Sequence, residues 1–225
     1  MKEQELFSLK NKTAIVTGAL GLIGKQHCYA LSEAGANIVV TDLNEKACSV
    51  FASKLPTQSI GITCDITNPE SITNLLKKTI KEFGTIDILI NNAAINDMVE
   101  HPTSSLSQSK FENYPLDLFK KVMDVNVNGI FLCCQIIGPE LVKNGKGSII
   151  NIASTYSIVA PDQSLYQNKK GKQLFYKSVA YPTAKGAVIS LTKYLAAYWG
   201  KTGVRVNALS PGGVENKQNK YFIKK

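Results

Sequence analysis

The sequence predicts an α/β protein built on one parallel, doubly wound sheet with helices on both faces. Short β-branched runs alternate with longer stretches of helical period, the pattern of successive βαβ units. The first of these runs opens directly into a glycine-rich turn. Hydrophobic residues fill 44% of the 225 positions, enough for one sizeable core. No repeat, low-complexity tract or linker divides the chain, so a single domain over residues 1–225 is expected.

Thr13–Thr17 is the first strand, and it enters Gly18-Ala-Leu-Gly21-Leu22-Ile23-Gly24. Apolar residues then recur at Ile23, Ala30, Leu31 and Ala34, a helical period, and Gly35 caps the C-terminus of that helix. Residues 37–41 form the second strand and lead into Asp42, 18 residues beyond Gly24. Strand, glycine-rich turn, helix, strand and acid in that order read as a dinucleotide site. The glycines let the backbone close on a pyrophosphate at a helix N-terminus, and the acid receives the adenosine ribose hydroxyls. A carboxylate there repels a 2′-phosphate, so NAD is favoured over NADP.

A third strand precedes Asp65-Ile66. Thr67-Asn68-Pro69-Glu70 starts the next helix, with Glu70 as a capping-box acid and proline in the first turn. Residues 86–90 are the fourth strand. The segment Leu116–Lys143 carries an apolar stripe of Phe119, Val122, Met123, Ile130, Cys133 and Ile137, and Asn126 lies on it. A buried amide must find hydrogen-bond partners, so Asn126 is either a structural pin or part of a water relay. Residues 148–153 form a fifth strand that ends at Ser154.

Tyr181 and Lys185 stand at i and i+4, on one face of a helix. A free phenol titrates near pH 10, and bringing it to half-ionised at neutral pH takes roughly three pK units, or about 4 kcal/mol. A neighbouring ammonium and a cationic nicotinamide ring are charges that supply this. Tyr181 is then a general acid/base for an alcohol proton, with Ser154 opposite it.

With these residues in view, the sequence resembles the short-chain dehydrogenase/reductase family from about residue 8 to the C-terminus. Asn91-Asn92-Ala93-Ala94 is similar to the family's Asn-Asn-Ala-Gly segment, and Asp65-Ile66 to its adenine-contacting pair. Asp124-Val-Asn126-Val-Asn-Gly129 resembles the segment bearing its catalytic asparagine. The strand closing on Ser154 resembles the one ending in its catalytic serine. Arg205 to Gly212 is similar to its last cofactor loop. The resemblance implies a Rossmann-like fold and an NAD(P)-dependent exchange of hydride between a secondary alcohol and its ketone. It implies a catalytic set of Asn126, Ser154, Tyr181 and Lys185, in which Lys185 also binds ribose and lowers the tyrosine pKa. The cofactor contacts it implies are Gly18, Gly21, Leu22, Ile23, Gly24, Asp42, Asp65, Ile66, Asn92, Ala93, Tyr181, Lys185, Pro211, Gly212 and Val214. It also implies a homodimer or homotetramer paired through the helices of Asn126 and Tyr181.

Three departures from the family pattern stand out. Leu22 occupies the middle glycine position, giving a spacing closer to the extended branch of nucleotide-sugar epimerases and dehydratases, whose added substrate domain this chain is too short to hold. Ser154 and Tyr181 are 27 apart, well beyond the usual gap. The extra stretch from Pro161 to Lys177 is basic and aromatic (Tyr166, Lys169, Lys170, Lys172, Phe175, Tyr176) and is placed at the active-site mouth. It suits an anionic or sugar-derived substrate, or is a solvated loop. With the Ser-Pro-Gly-Gly that follows the sixth strand, it is similar to members from bacterial surface-sugar and flagellin-glycan pathways. Finally, the chain stops at Lys225, where relatives add a lid helix and a further strand. A sheet lacking the family's C-terminal strand is expected, and Asn216 replaces the usual threonine two past Val214. Two rival functions stay beside the oxidoreductase: an epimerase or dehydratase, and a dinucleotide-binding protein with impaired catalysis.

Composition narrows the rest. The net charge of +9 comes without an aromatic stacking motif, so nucleic acid is not expected; the charge serves anionic-substrate attraction or solubility. No apolar run of membrane-spanning length and no signal peptide are read, so a cytoplasmic protein without membrane contact is expected. The five cysteines (28, 48, 64, 133 and 134) show no ligand spacing and read as buried thiols. His27 and His101 are isolated, and no metal site is expected.

Overall fold

The computed structural model describes residues 7–97 and 106–216. Its centre is a six-stranded, all-parallel sheet of β1 (Thr13–Thr17), β2 (Asn37–Asp42), β3 (Ser59–Thr63), β4 (Ile88–Asn91), β5 (Gly147–Ile152) and β6 (Val204–Leu209). The strands are ordered β3-β2-β1-β4-β5-β6. Parallel strands are covered on both faces and so read as continuous apolar runs; every residue of β1 is buried. Side chains alternate across a strand, so Ala14 and Val16 enter one core while Ile15 enters the other.

The longer helices among the described residues are α1 (Leu22–Glu33), α2 (Glu45–Ala52), α3 (Pro69–Phe83), α4 (Leu116–Met123), α5 (Gly129–Lys143) and α6 (Ala180–Tyr198). Cys28 of α1 and Cys48 and Phe51 of α2 fill the core on one face of the sheet. Ile72 and Leu75 of α3, Ile130 and Ile137 of α5, and Val188 and Leu195 of α6 fill the other. The strand order reverses between β1 and β4. That switch point is where the carboxyl ends of the strands diverge and leave a crevice for a ligand.

Local details differ from the sequence expectation in three places. Asn68, not Thr67, caps α3: its Oδ1 accepts from the Glu70 and Ser71 amides at 2.8 and 3.3 Å, so Glu70 sits one position too early for a capping box. Pro69 takes the first helical position, where its missing N–H costs nothing. α4 and α5 run on through a π-helical turn, Asp124–Asn128, which carries Asn126. The continuous segment Leu116–Lys143 also contains an 18-residue stretch of mean hydropathy 1.4, long and apolar enough to span a membrane, contrary to the reading that no apolar run does so. Its apolar stripe is spent inside the protein, since Val122, Ile130, Cys133, Ile137 and Leu141 are all buried in the cores. Among the described residues the sheet ends on β6, with no seventh strand beside it.

Candidate active site

The glycine turn joins β1 to α1 at the switch point. Gly18 has a φ of +61°, and a Cβ on it would stand 2.7 Å from the Ala93 Cα. A Cβ on Gly24 would lie 2.2 Å from the Gly18 carbonyl oxygen. Both positions therefore require glycine for the turn to close. Asn92 and Ala93, after β4, clamp it from the side. Asn92 Nδ2 donates to the Thr17 and Gly18 carbonyls, each at 3.0 Å, and the Asn92 and Ala93 amides donate to Thr17 Oγ1. Asp42 braces it from β2, accepting from the Leu20 amide at 3.1 Å.

These residues fit a dinucleotide. α1 begins at Gly21 with no side-chain cap and no acid in its first turn. Its N-terminal amides and the positive end of its dipole are therefore open to a pyrophosphate. Asp42 stands at the C-terminal end of β2, where an acid meets a ribose. Leu22 is half exposed beside the turn, at 48%. Asp65 is exposed and its carboxylate is occupied by Thr67, while Ile66 is buried with its side chain set against Gly129. The Pro211 carbonyl accepts from the Thr155 amide at 3.0 Å, tying the loop after β6 to the segment beyond β5. Gly212 is open to space and Val214 is 43% exposed.

Tyr181 lies in the first turn of α6, and Ser154 caps the short helix after β5. They meet: Ser154 is placed to hydrogen-bond the Tyr181 phenol in a way that favours its ionised form. Burial is the larger influence and, helped by nearby Tyr156, raises the phenol pKa above its ordinary value. Lys185 follows one turn on, almost wholly buried, with Nζ donating to the Ile152 carbonyl at 2.6 Å and lying 5.8 Å from the Tyr181 ring centroid. Burial pulls its ammonium down to about 8. Burial outweighs the Ser154 hydrogen bond at the phenol, and the Lys185 ammonium rests on the Ile152 carbonyl.

Asn126 is fully buried in the π-helical turn. Its side chain pairs with both backbone groups of Ile95: Oδ1 accepts from the amide at 2.8 Å and Nδ2 donates to the carbonyl at 2.9 Å. That is the geometry of a pin holding the loop after β4.

The sequence reading missed a polar cluster behind the tyrosine. Lys177 is 8% exposed, and its Nζ sits 4.7 Å over the Tyr181 ring and donates to Asn96 Oδ1 at 2.6 Å. Fully buried Asp97 accepts from Tyr114 at 2.5 Å and from Ser178 at 2.7 Å. Lys177 was visible only as the end of a basic stretch. The segment before α6 is irregular, so no spacing rule pointed it at Tyr181. The stretch itself is an ordered structure: Tyr166 is buried against Phe175, and Gln163 and Gln173 bond its backbone, while Lys169, Lys170 and Lys172 face solvent. His101 lies outside the described residues.

Comparison with known proteins fixes the class. Residues 12–225 match the short chain dehydrogenase family, and the chain belongs to it. The NAD-dependent glycerol dehydrogenase of Listeria innocua is 35% identical over 205 residues, covering 91% of this chain and 71% of that protein. The D-threitol dehydrogenase of Mycolicibacterium smegmatis is 34% identical over 208 residues, covering 91% and 71%. Among solved structures, a gluconate 5-dehydrogenase from Burkholderia cenocepacia in complex with NADP and tartrate superposes with a TM-score of 0.81. It is 27% identical and covers 99% of this chain and 79% of that one. The chain is thus an NAD(P)-dependent oxidoreductase acting on a secondary alcohol and its ketone.

Proposed function

We propose that this enzyme interconverts a small polyol or sugar-derived alcohol with its ketone, using NAD in preference to NADP, with Tyr181 moving the proton. The observation that carries this is the meeting of Ser154, Tyr181 and Lys185 at the carboxyl ends of β5 and its neighbours, beside the glycine turn. When bound, the nicotinamide accepts or donates the hydride. The protein supplies the proton path and the orientation. Ser154 holds the substrate oxygen by hydrogen bonding, and Tyr181 takes the hydroxyl proton during oxidation or returns it during reduction. The N-terminal end of α6, which carries no acid in its first turn, favours the phenolate. Lys185 would hold the nicotinamide ribose, and Asp42 would hold the adenosine ribose and repel a 2′-phosphate. Gly18, Gly21, Gly24, Asn92 and Ala93 shape the pyrophosphate seat.

The exposed aromatics of the paired helices, Phe131, Tyr194 and Tyr198, support self-association on that face, with Tyr194 and Tyr198 stacked at 5.8 Å. The polyols named for the relatives support a small-molecule substrate rather than nucleic acid or membrane, and a cytoplasmic setting suits that chemistry. The test is growth of the reduced-nicotinamide absorbance when NAD is offered with a polyol panel. Turnover by the wild type and its loss in Tyr181→Phe, with NAD affinity unchanged, are expected. Substantial activity in Tyr181→Phe removes the tyrosine from the acid/base role. Cofactor retained through turnover with no net reduction would point to an epimerase or dehydratase instead.

A further inference from the structure

We propose that Lys177 makes this enzyme select an acidic substrate, its ammonium receiving a carboxylate on the compound whose carbinol carbon faces Tyr181 and Ser154. This rests on the oxidoreductase reading above and deepens it. The names of the relatives span neutral polyols, glycerol and threitol, and a sugar acid, gluconate. The position of Lys177 decides between these two chemistries.

A buried ammonium needs either a counter-charge or a full set of acceptors. Among the described residues Lys177 lacks a full set of acceptors, and its counter-charge, Asp97, acts on it only from beyond ion-pair distance. Its Nζ offers three donors, and one is taken by Asn96 Oδ1 at 2.6 Å. Another side of the ammonium lies on the Tyr181 ring, 4.7 Å from its centroid. No described carboxylate lies within 4.0 Å of it. Asp97 is the nearby acid, but it is bonded to Tyr114 and Ser178. A carboxylate brought by the substrate completes the shell and makes the direct ion pair that Asp97 does not.

Holding the preceding segment in place does not explain the side chain. The backbone does that already, since the Lys177 amide donates to Gln163 Oε1 at 2.8 Å and its carbonyl accepts from Gln163 Nε2 at 3.2 Å. The ammonium is instead aimed at the wall formed by Asn96 and Tyr181. Asn96 in turn follows Ile95, which Asn126 pins. The receptor is therefore fixed beside the reacting phenol, where it can discriminate between substrates.

Burial holds the Lys177 pKa down to about 8, so anion binding weakens as the ammonium is lost on raising the pH through that region. The other titratable groups around it are Asp97 after β4, Tyr114 ahead of α4, Tyr156 after β5, Tyr181 and Lys185 on α6, and Lys110, Glu112 and Tyr176 along the adjoining cleft.

The test is isothermal titration calorimetry of the full-length protein with NAD present, using matched pairs of probes: glycerate against glycerol, threonate against threitol, and gluconate against glucitol. At pH 7 at least one acid binds tenfold or more tightly than its polyol. Lys177→Met abolishes that ratio and Lys177→Arg keeps it, with circular dichroism and melting curves reporting intact folds. The ratio in the wild type shrinks between pH 7 and pH 9. Equal affinity within all three pairs, or a ratio unchanged in Lys177→Met, overturns the proposal. If the acid preference holds but no substrate is oxidised, the oxidoreductase reading fails while the anion receptor stands.

Discussion

Replacing Asn126 by alanine separates a pin from a relay. The side chain is fully buried and makes hydrogen bonds of 2.8 and 2.9 Å to the Ile95 amide and carbonyl. Alanine leaves both backbone groups without partners. An orphaned buried group costs roughly 1–3 kcal/mol, and Ile95 is only half-buried, which lets water recover part of that. A net loss of about 2–4 kcal/mol is expected, and in a chain of this length each kcal/mol lowers Tm by roughly 2–4 °C. Asn126→Ala should therefore melt roughly 4–16 °C below the wild type in a calorimetric scan. Asn126→Asp supplies a control. A carboxylate can accept from the Ile95 amide but opposes the Ile95 carbonyl, so the variant is at least as unstable at neutral pH. Burial raises the pKa of such an acid, and its protonated form can donate to the carbonyl. Stability relative to wild type must then recover as pH falls. An alanine variant that melts within about 2 °C of the wild type yet loses turnover would refute the pin and leave the relay.

Three further outcomes are expected of the glycine turn, the acid after β2 and the thiols. Gly24→Ala places a methyl 2.2 Å from the Gly18 oxygen and 2.9 Å from Asn92 Nδ2. The turn must shift at a cost of roughly 1–3 kcal/mol, and fluorescence titration should show dinucleotide binding weakened at least tenfold; unchanged affinity would count against the turn as the pyrophosphate seat. Asp42→Ala removes the acceptor of the Leu20 amide and the charge opposing a 2′-phosphate, so the ratio of NAD to NADP affinity falls. A wild type that binds NADP at least as tightly as NAD defeats that argument. The thiols are buried and held high, Cys48 at about 11 and Cys28 and Cys134 at about 12. Since only the thiolate reacts, the native protein at pH 8 should resist a disulfide reagent that titrates all five cysteines after denaturation. Rapid labelling of the native form would show that these thiols are exposed or activated.

The scaffold was legible in the sequence because its signals are local. A continuous apolar run such as Thr13–Thr17 has few alternatives to a buried parallel strand, and a glycine followed at once by a helical period fixes the turn. The acid after β2 followed from its spacing, 18 residues beyond Gly24 at the end of the second apolar run. Register shifts of a residue or two, such as Asn68 in place of Thr67 at the cap, arose because two adjacent polar residues can each cap and only packing chooses between them. The Lys177 cluster was not legible for a different reason. Its members come from the loop after β4, the approach to α4 and the end of the stretch before α6, three irregular segments with no shared period. Only the folded chain brings Asn96, Asp97, Tyr114, Lys177 and Ser178 together.

The same cluster bears on why the long stretch between Ser154 and Tyr181 is compatible with chemistry. A loop of that length between two reacting groups costs configurational freedom, and a floppy one would let Ser154 and Tyr181 drift apart. Here the cost is met locally. Tyr156 and Tyr166 join hydroxyls at 3.0 Å, Tyr166 packs on Phe175 at 4.9 Å between centroids, and Gln163 brackets Lys177 on both backbone groups. Ser109 accepts from the Tyr176 amide at 3.0 Å, tying the end of the stretch to the turn ahead of α4. Ser154 is set by β5 and Tyr181 by α6, and this network reaches both, through the Tyr156 amide that donates to Ser154 Oγ at 3.2 Å and through Lys177 over the Tyr181 ring. The exposed lysines at the tip, 169, 170 and 172, are then free to vary without disturbing the site. Lys177, at the buried end, is not.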